Sequence, residues 1–160
     1  MSERARPATI ATDGPAAASA GYPPLETRVL LRVEGAAFAA VAVYLFGTLD
    51  VSWWLFALLI LAPDLSALGF LAGPRIGVRS YNIAHLWVWP VLLGLVGYLI
   101  YTADAGGSPI MLGIALIWAV HIGADRALGY GLKQSDAFEI THLGPIGRLR
   151  RAPRSAGGAR

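Results

Sequence analysis

Four apolar runs, residues 29–47, 52–72, 81–101 and 109–130, leave this chain few ways to fold. Each is close to the roughly 20 residues a helix needs to cross the hydrocarbon of a bilayer. Inside hydrocarbon every backbone amide must be satisfied within its own segment, which selects helices. The runs predict an all-α integral membrane bundle of four transmembrane helices. The composition, 56% hydrophobic and 14% charged, is too apolar for an ordinary soluble domain of this size.

All thirteen basic residues fall on one side of that map. Arg4, Arg6, Arg28 and Arg32 precede or open the first run, and Arg75 and Arg79 separate the second from the third. Arg126, Lys133, Arg148, Arg150, Arg151, Arg154 and Arg160 close or follow the fourth. The connections around Asp50 and Asp104 carry no Lys or Arg. By the positive-inside rule both termini and the Arg75/Arg79 loop are expected to be cytoplasmic, in a multi-pass protein of the cell membrane. Tyr44, Phe46, Trp53, Trp54, Tyr98 and Tyr101 then fall at the outer boundary, as an aromatic belt would.

The net charge of +3 is accounted for by topology, and no recognition helix or basic-aromatic module accompanies it, so nucleic acid is not expected as a partner. The absence of cysteine excludes disulfides, thiolate catalysis and Cys-ligated metal. Residues 1–27 are expected to be a disordered tail without signal-peptide architecture. Residues 28–131 form the transmembrane domain, 132–147 a cytoplasmic segment, and 148–160 a basic disordered tail. The tail's default partner is anionic lipid headgroups, at about 1 kcal/mol per basic residue near the surface.

The ionisable residues within the spans share a depth. Glu34 lies six residues inside Arg28, Asp64 nine before Gly73, His85 six after Arg79, and His121 and Asp125 seven and three before Leu128. At about 1.5 Å per residue every helix delivers a polar side chain to a layer roughly 5 to 14 Å below the cytoplasmic boundary. Facing lipid there costs on the order of 2 to 4 kcal/mol each, so the groups are expected to face one another. His121 and Asp125 share a helix face, as do Asn82 and His85. Pro63 removes a backbone donor beside Asp64 and predicts a kink. Ser66, Tyr81 and Arg126 stand close enough in sequence to hold a carboxylate or imidazole in place.

Each of these residues has an ordinary reading too. Glu34 can pair with Arg32 or snorkel to the headgroups, Asp125 can pair with Arg126, and His85 can bond a backbone carbonyl. Trp87, Trp89 and Trp118 read as packing and interface anchors, and Asn82 as glue between helices. His142 is either exposed or folded back over the layer. No H-E-x-x-H, G-x-S-x-G, P-loop or dinucleotide fingerprint is present, and the glycines of Gly129-Tyr130-Gly131 and Gly144-Pro145-Ile146-Gly147 are turn chemistry. A faint repeat, Asp64 before Ala67-Leu68-Gly69-Phe70 and Asp125 before Ala127-Leu128-Gly129-Tyr130, is what two hairpins related by a pseudo-twofold would leave.

The segments Pro63-Asp-Leu-Ser66 through Tyr81-Asn-Ile-Ala-His85, and His121-Ile-Gly-Ala-Asp-Arg-Ala-Leu-Gly-Tyr-Gly-Leu-Lys133 with Thr141-His-Leu-Gly144, resemble an uncharacterised membrane-protein family, domain of unknown function 4260. The resemblance spans about residues 28–148. It implies the four-helix membrane assignment and brings no catalytic roles.

Three functional classes follow from the residues. One is a cytoplasm-facing divalent transition-metal site with Asp64, His85, His121 and Asp125 as ligands and Glu34 as fifth ligand or general base, in a metal-dependent hydrolase of a lipid-derived substrate. A second is a structural or partner-binding protein whose polar layer only fixes helix packing. A third is a proton or small-solute transport element, against which stand the nearly apolar outer halves of the spans.

Overall fold

The computed structural model describes residues 23–103, 108–134 and 140–146. In chain order the elements are α1 (Leu25–Gly47), α2 (Trp53–Leu59), a 3-10 helix (Ala62–Ala72), α3 (Pro74–Ala84), α4 (Val88–Ala103) and α5 (Ile110–Leu128). A minimal antiparallel pair of strands follows, β1 (Ile140–Thr141) and β2 (Gly144–Pro145). Four helical stretches are long and apolar enough to cross a membrane: Leu25–Gly47, Trp53–Ala72, Pro74–Ala103 and Ile110–Leu128.

Two of these stretches are broken, both at prolines. Pro63 ends regular α-helix in the second, and the chain continues as a 3-10 helix of 11 residues, far longer than the usual three or four. Ser66 Oγ donates to the Pro63 carbonyl at 2.6 Å, satisfying an acceptor inside the tighter coil. The third stretch was expected as one helix starting at Tyr81. Instead it is two, with the break at His85–Trp87 just ahead of Pro90, which has no amide hydrogen for α-helical pairing. The Arg75/Arg79 connection is accordingly not a loop but the amphipathic helix α3, packed on the 3-10 helix. The indoles of Trp89 and Trp118 donate to the carbonyls of Ile83 and Ala84 at 2.7 and 2.9 Å, so the open end of α3 is satisfied without water.

Helix α5 is the hub, packed against α1 and α4 and touching α2. Its crossing with α1 brings backbone onto backbone: a Cβ added to Gly35 would lie 2.9 Å from the Gly123 carbonyl oxygen, and one on Gly123 2.7 Å from that of Gly35. Small residues permit such an approach, the usual device where lipid removes the hydrophobic drive between helices. Away from α5 the large side chains turn outward. Trp54 and Leu71 are 85% and 86% exposed, an apolar exterior that suits hydrocarbon and not water.

At one end Phe46 packs edge-on against Trp53 and Phe56, over Val51 and Ile117. Phe46 is fully buried, so it belongs to the core and not to the expected aromatic belt, whereas Tyr44, Trp54, Tyr98 and Tyr101 are exposed. The expected N-terminal tail lies largely outside the described residues, but Leu25, Glu26 and Thr27 already form the first turn of α1. The basic tail 148–160 and the Asp104 connection lie outside the described residues.

Candidate metal centre

Three elements and one break converge on the quartet. The 3-10 helix supplies Asp64, the end of α3 supplies His85, and successive turns of α5 supply His121 and Asp125. Each residue offers one ligand-type atom, and the four atoms lie within 4.8 Å of one another. His85 Nε2 and His121 Nε2 are 3.1 Å apart. Asp64 Oδ1 stands 3.5 Å from each, and Asp125 Oδ2 stands 3.5 Å from His85 and 3.8 Å from His121. Atoms ligating one ion tetrahedrally at about 2.0–2.1 Å are separated by about 3.3–3.4 Å, a value the five spacings that involve a histidine approach, so the quartet could hold one small cation if the two carboxylates drew together.

The surroundings fix the ligands' orientation. His85 Nδ1 lies 2.8 Å from the Tyr81 carbonyl, which can only accept, so the ring donates there and its Nε2 faces the centre. The Tyr81 ring stacks on that imidazole at 3.7 Å, and its hydroxyl donates to Asp125 Oδ2 at 3.0 Å. One tyrosine thus positions two members. Both histidine side chains are 5% exposed, against 18% for Asp125 and 47% for Asp64, so the centre is walled by imidazole and open beside Asp64.

Glu34 stands outside this quartet, which corrects its expected place as fifth ligand or base. It lines a separate crevice with Arg126 and Trp87. The reason is rotational phase: Gly35 is the residue of α1 that meets α5, and its neighbour points about 100° away from that contact. Arg126 likewise turns from the centre, its guanidinium 5.3 Å from the Trp87 ring centroid. Among the described residues no ion pair joins Arg126 to Asp125. Ser66 bonds the backbone, not the Asp64 carboxylate. Both aspartates reach the same histidines, one from the 3-10 helix and the other from the α5 hub.

A residue that hydropathy places in the cytoplasm closes one side. Gly129, at φ 93°, ends α5 with the paired bonds Tyr130 N to Asp125 O (2.7 Å) and Gly129 N to Arg126 O (3.0 Å), turning the chain back immediately after the quartet. Asn82 then grips Lys133 twice, its Nδ2 donating to the Lys133 carbonyl at 2.9 Å and its Oδ1 accepting from the Lys133 amide at 2.7 Å. The Lys133 ammonium sits 4.7 Å from the Tyr81 ring centroid and is buried. Burial pushes it below the usual lysine range, while the charges of Asp125 and Asp64 hold it up. The sequence held one signal for it: Lys133 is the sole lysine in a chain that otherwise uses arginine.

Thr141 pairs with Lys133 across an isolated bridge, and its hydroxyl donates to the Gly144 carbonyl at 2.8 Å. His142 folds back against Gly131, its backbone amide donating to the Leu132 carbonyl. Of the segment 132–147, whose His142 was expected either exposed or folded back, the described residues 132–134 and 140–146 form a hydrogen-bonded lid.

No curated protein and no solved structure matches the chain. A family model described as Domain of unknown function (DUF4260) matches residues 28–146, a stretch that holds the quartet, the His85 break and the Lys133 lid. The chain belongs to that family.

Proposed function

We propose that the chain is a multi-pass protein of the cell membrane that holds one divalent transition metal between His85, His121, Asp64 and Asp125, and uses it to hydrolyse a lipid-derived substrate at the cytoplasmic level of the bilayer. The observation that carries this is the approach of four ligand-type atoms, two of them imidazole nitrogens 3.1 Å apart, with the His85 Nδ1 proton already committed to the Tyr81 carbonyl. Two neutral imidazoles and two carboxylates would sum to two negative charges, of which the Lys133 ammonium balances one, and the remaining negative charge in an apolar setting favours a cation. Imidazole with carboxylate is the donor set that zinc, manganese and iron take.

A bound ion of this kind would polarise an ester or phosphoester oxygen and acidify a bound water. Tyr81 holds Asp125 and His85 in place. Lys133 brings a positive charge to the same side as a developing anion, and the open flank beside Asp64 is the route of entry. Both termini and α3 face the cytoplasm in this reading, supported by the one-sided placement of the thirteen basic residues. The basic tail rests on anionic headgroups.

The competing role, a polar layer that only fixes helix packing, separates on one experiment. Detergent-solubilised protein stripped of metal should melt at a higher temperature when zinc, manganese or iron is added at about 100 times its Kd, where binding contributes about 2.7 kcal/mol. His121→Ala should abolish that response. A response that survives His121→Ala, or none in the wild type, assigns the layer to packing.

A further inference from the structure

Glu34 and Arg126, both turned away from the quartet, stand at one end of a crevice of about 500 Å³. Helices α1 and α4 each pack on α5, and the crevice lies between them. Its axis follows from the sequence. Phe38 and Val41 lie one and two turns beyond Glu34 on α1, Val91 lies one turn beyond Trp87, and Ala119 and Leu116 lie two to three turns before Arg126 on the antiparallel α5. All three helices therefore pass from the charged end to purely apolar wall in the same direction, for about 10 to 15 Å at 1.5 Å per residue. That is the shape of a single hydrocarbon chain lying along the membrane normal beneath a polar head.

The charges specify the head. Among the described residues no ion pair within 4.0 Å joins Glu34 to Arg126, although the Glu34 charge acts on the guanidinium through space, and both border the same opening, so a head carrying both signs of charge can enter there. Guanidinium takes phosphate in forked hydrogen bonds. A carboxylate takes a primary ammonium, which offers three donors, better than a quaternary ammonium, which offers none. A quaternary head would otherwise seek an aromatic face, but Trp87 already carries Arg126 over its ring and Phe38 against its side.

We propose that this crevice is a lipid site selective for a phospholipid with a primary ammonium head, its phosphate on Arg126, its ammonium on Glu34 and one acyl chain between α1 and α4. The site does not depend on the metal centre. Full-length protein in detergent would be titrated with dioleoyl phosphatidylethanolamine, phosphatidylcholine and phosphatidylglycerol, and adducts counted by native mass spectrometry. The ethanolamine lipid should bind at about tenfold lower concentration than either other, as one charge-assisted hydrogen bond allows. Glu34→Gln should erase its advantage over the glycerol lipid while leaving phosphate-dependent binding through Arg126. Equal binding of the three lipids by the wild type, no binding at all, or a preference that survives Glu34→Gln overturns the proposal.

Discussion

His85 and His121 bring their Nε2 atoms to 3.1 Å because the backbone disposes of the other His85 nitrogen, through the Tyr81 carbonyl four residues earlier. That carbonyl also accepts the His85 backbone amide at 3.0 Å, so the last turn of α3 and the ligand orientation share one acceptor. At this scale the sequence was legible in depth and illegible in azimuth. Counting residues from the arginines set Asp64, His85, His121 and Asp125 at one level, and the four do meet. The same counting included Glu34, which a rotation of one residue sends to the other crevice. His142 carries a pH prediction. Burial pushes its ring below the usual 6.5, opposed by the Leu132 carbonyl and reinforced by Arg126, and its buried Nδ1 has no hydrogen-bond partner. A base whose folded value is depressed binds fewer protons folded than unfolded, so stability is full above 6.5 and falls as pH drops from there to the folded value. Amide exchange at Thr141 and Leu143, corrected for its intrinsic rate, should report easier lid opening at pH 5.5 than at 7.5. His142→Gln should flatten that dependence; an unchanged dependence would contradict it.

Among the elements, the prolines were readable and the long-range clasp was not. Pro63 announces the change of helix type beside Asp64, and Pro90 marks the restart after His85, because a missing amide is a local property. Helix α3 escaped because hydropathy scores Arg75 and Arg79 as loop, although their helix packs on the 3-10 segment through Gly77 and Ser80. Lys133 escaped because a charge after the last span reads as topogenic, whereas its burial depends on Asn82, 51 residues away. Losing both Asn82 bonds should cost the lid about 2 kcal/mol, at about 1 kcal/mol each. Asn82→Ala should therefore speed amide exchange of residues 133–146 by about thirtyfold while leaving α5 protected. Unchanged exchange in the lid would show that the clasp does not hold it.

Across the described residues, one helix with seven buried positions organises a chain whose other helices present most of their large side chains outward. Four apolar runs were enough to foresee that bundle, since in hydrocarbon the choice of secondary structure is nearly forced. Orientation follows from charge. Reporter fusions at Asp50 and Asp104 should read outside, and those at Arg75 and after Arg160 inside; an inside reading at Asp104 would invert the map. The bundle's purpose, on this account, is to hold two imidazoles and two carboxylates around one cation. Elemental analysis of wild-type protein purified without chelator, beside His85→Ala, His121→Ala and Asp125→Asn, reads that directly. The account predicts about one zinc, manganese or iron per wild-type chain and a loss of at least tenfold in each variant. Metal-free wild-type protein, or variants that keep the full complement, would contradict it.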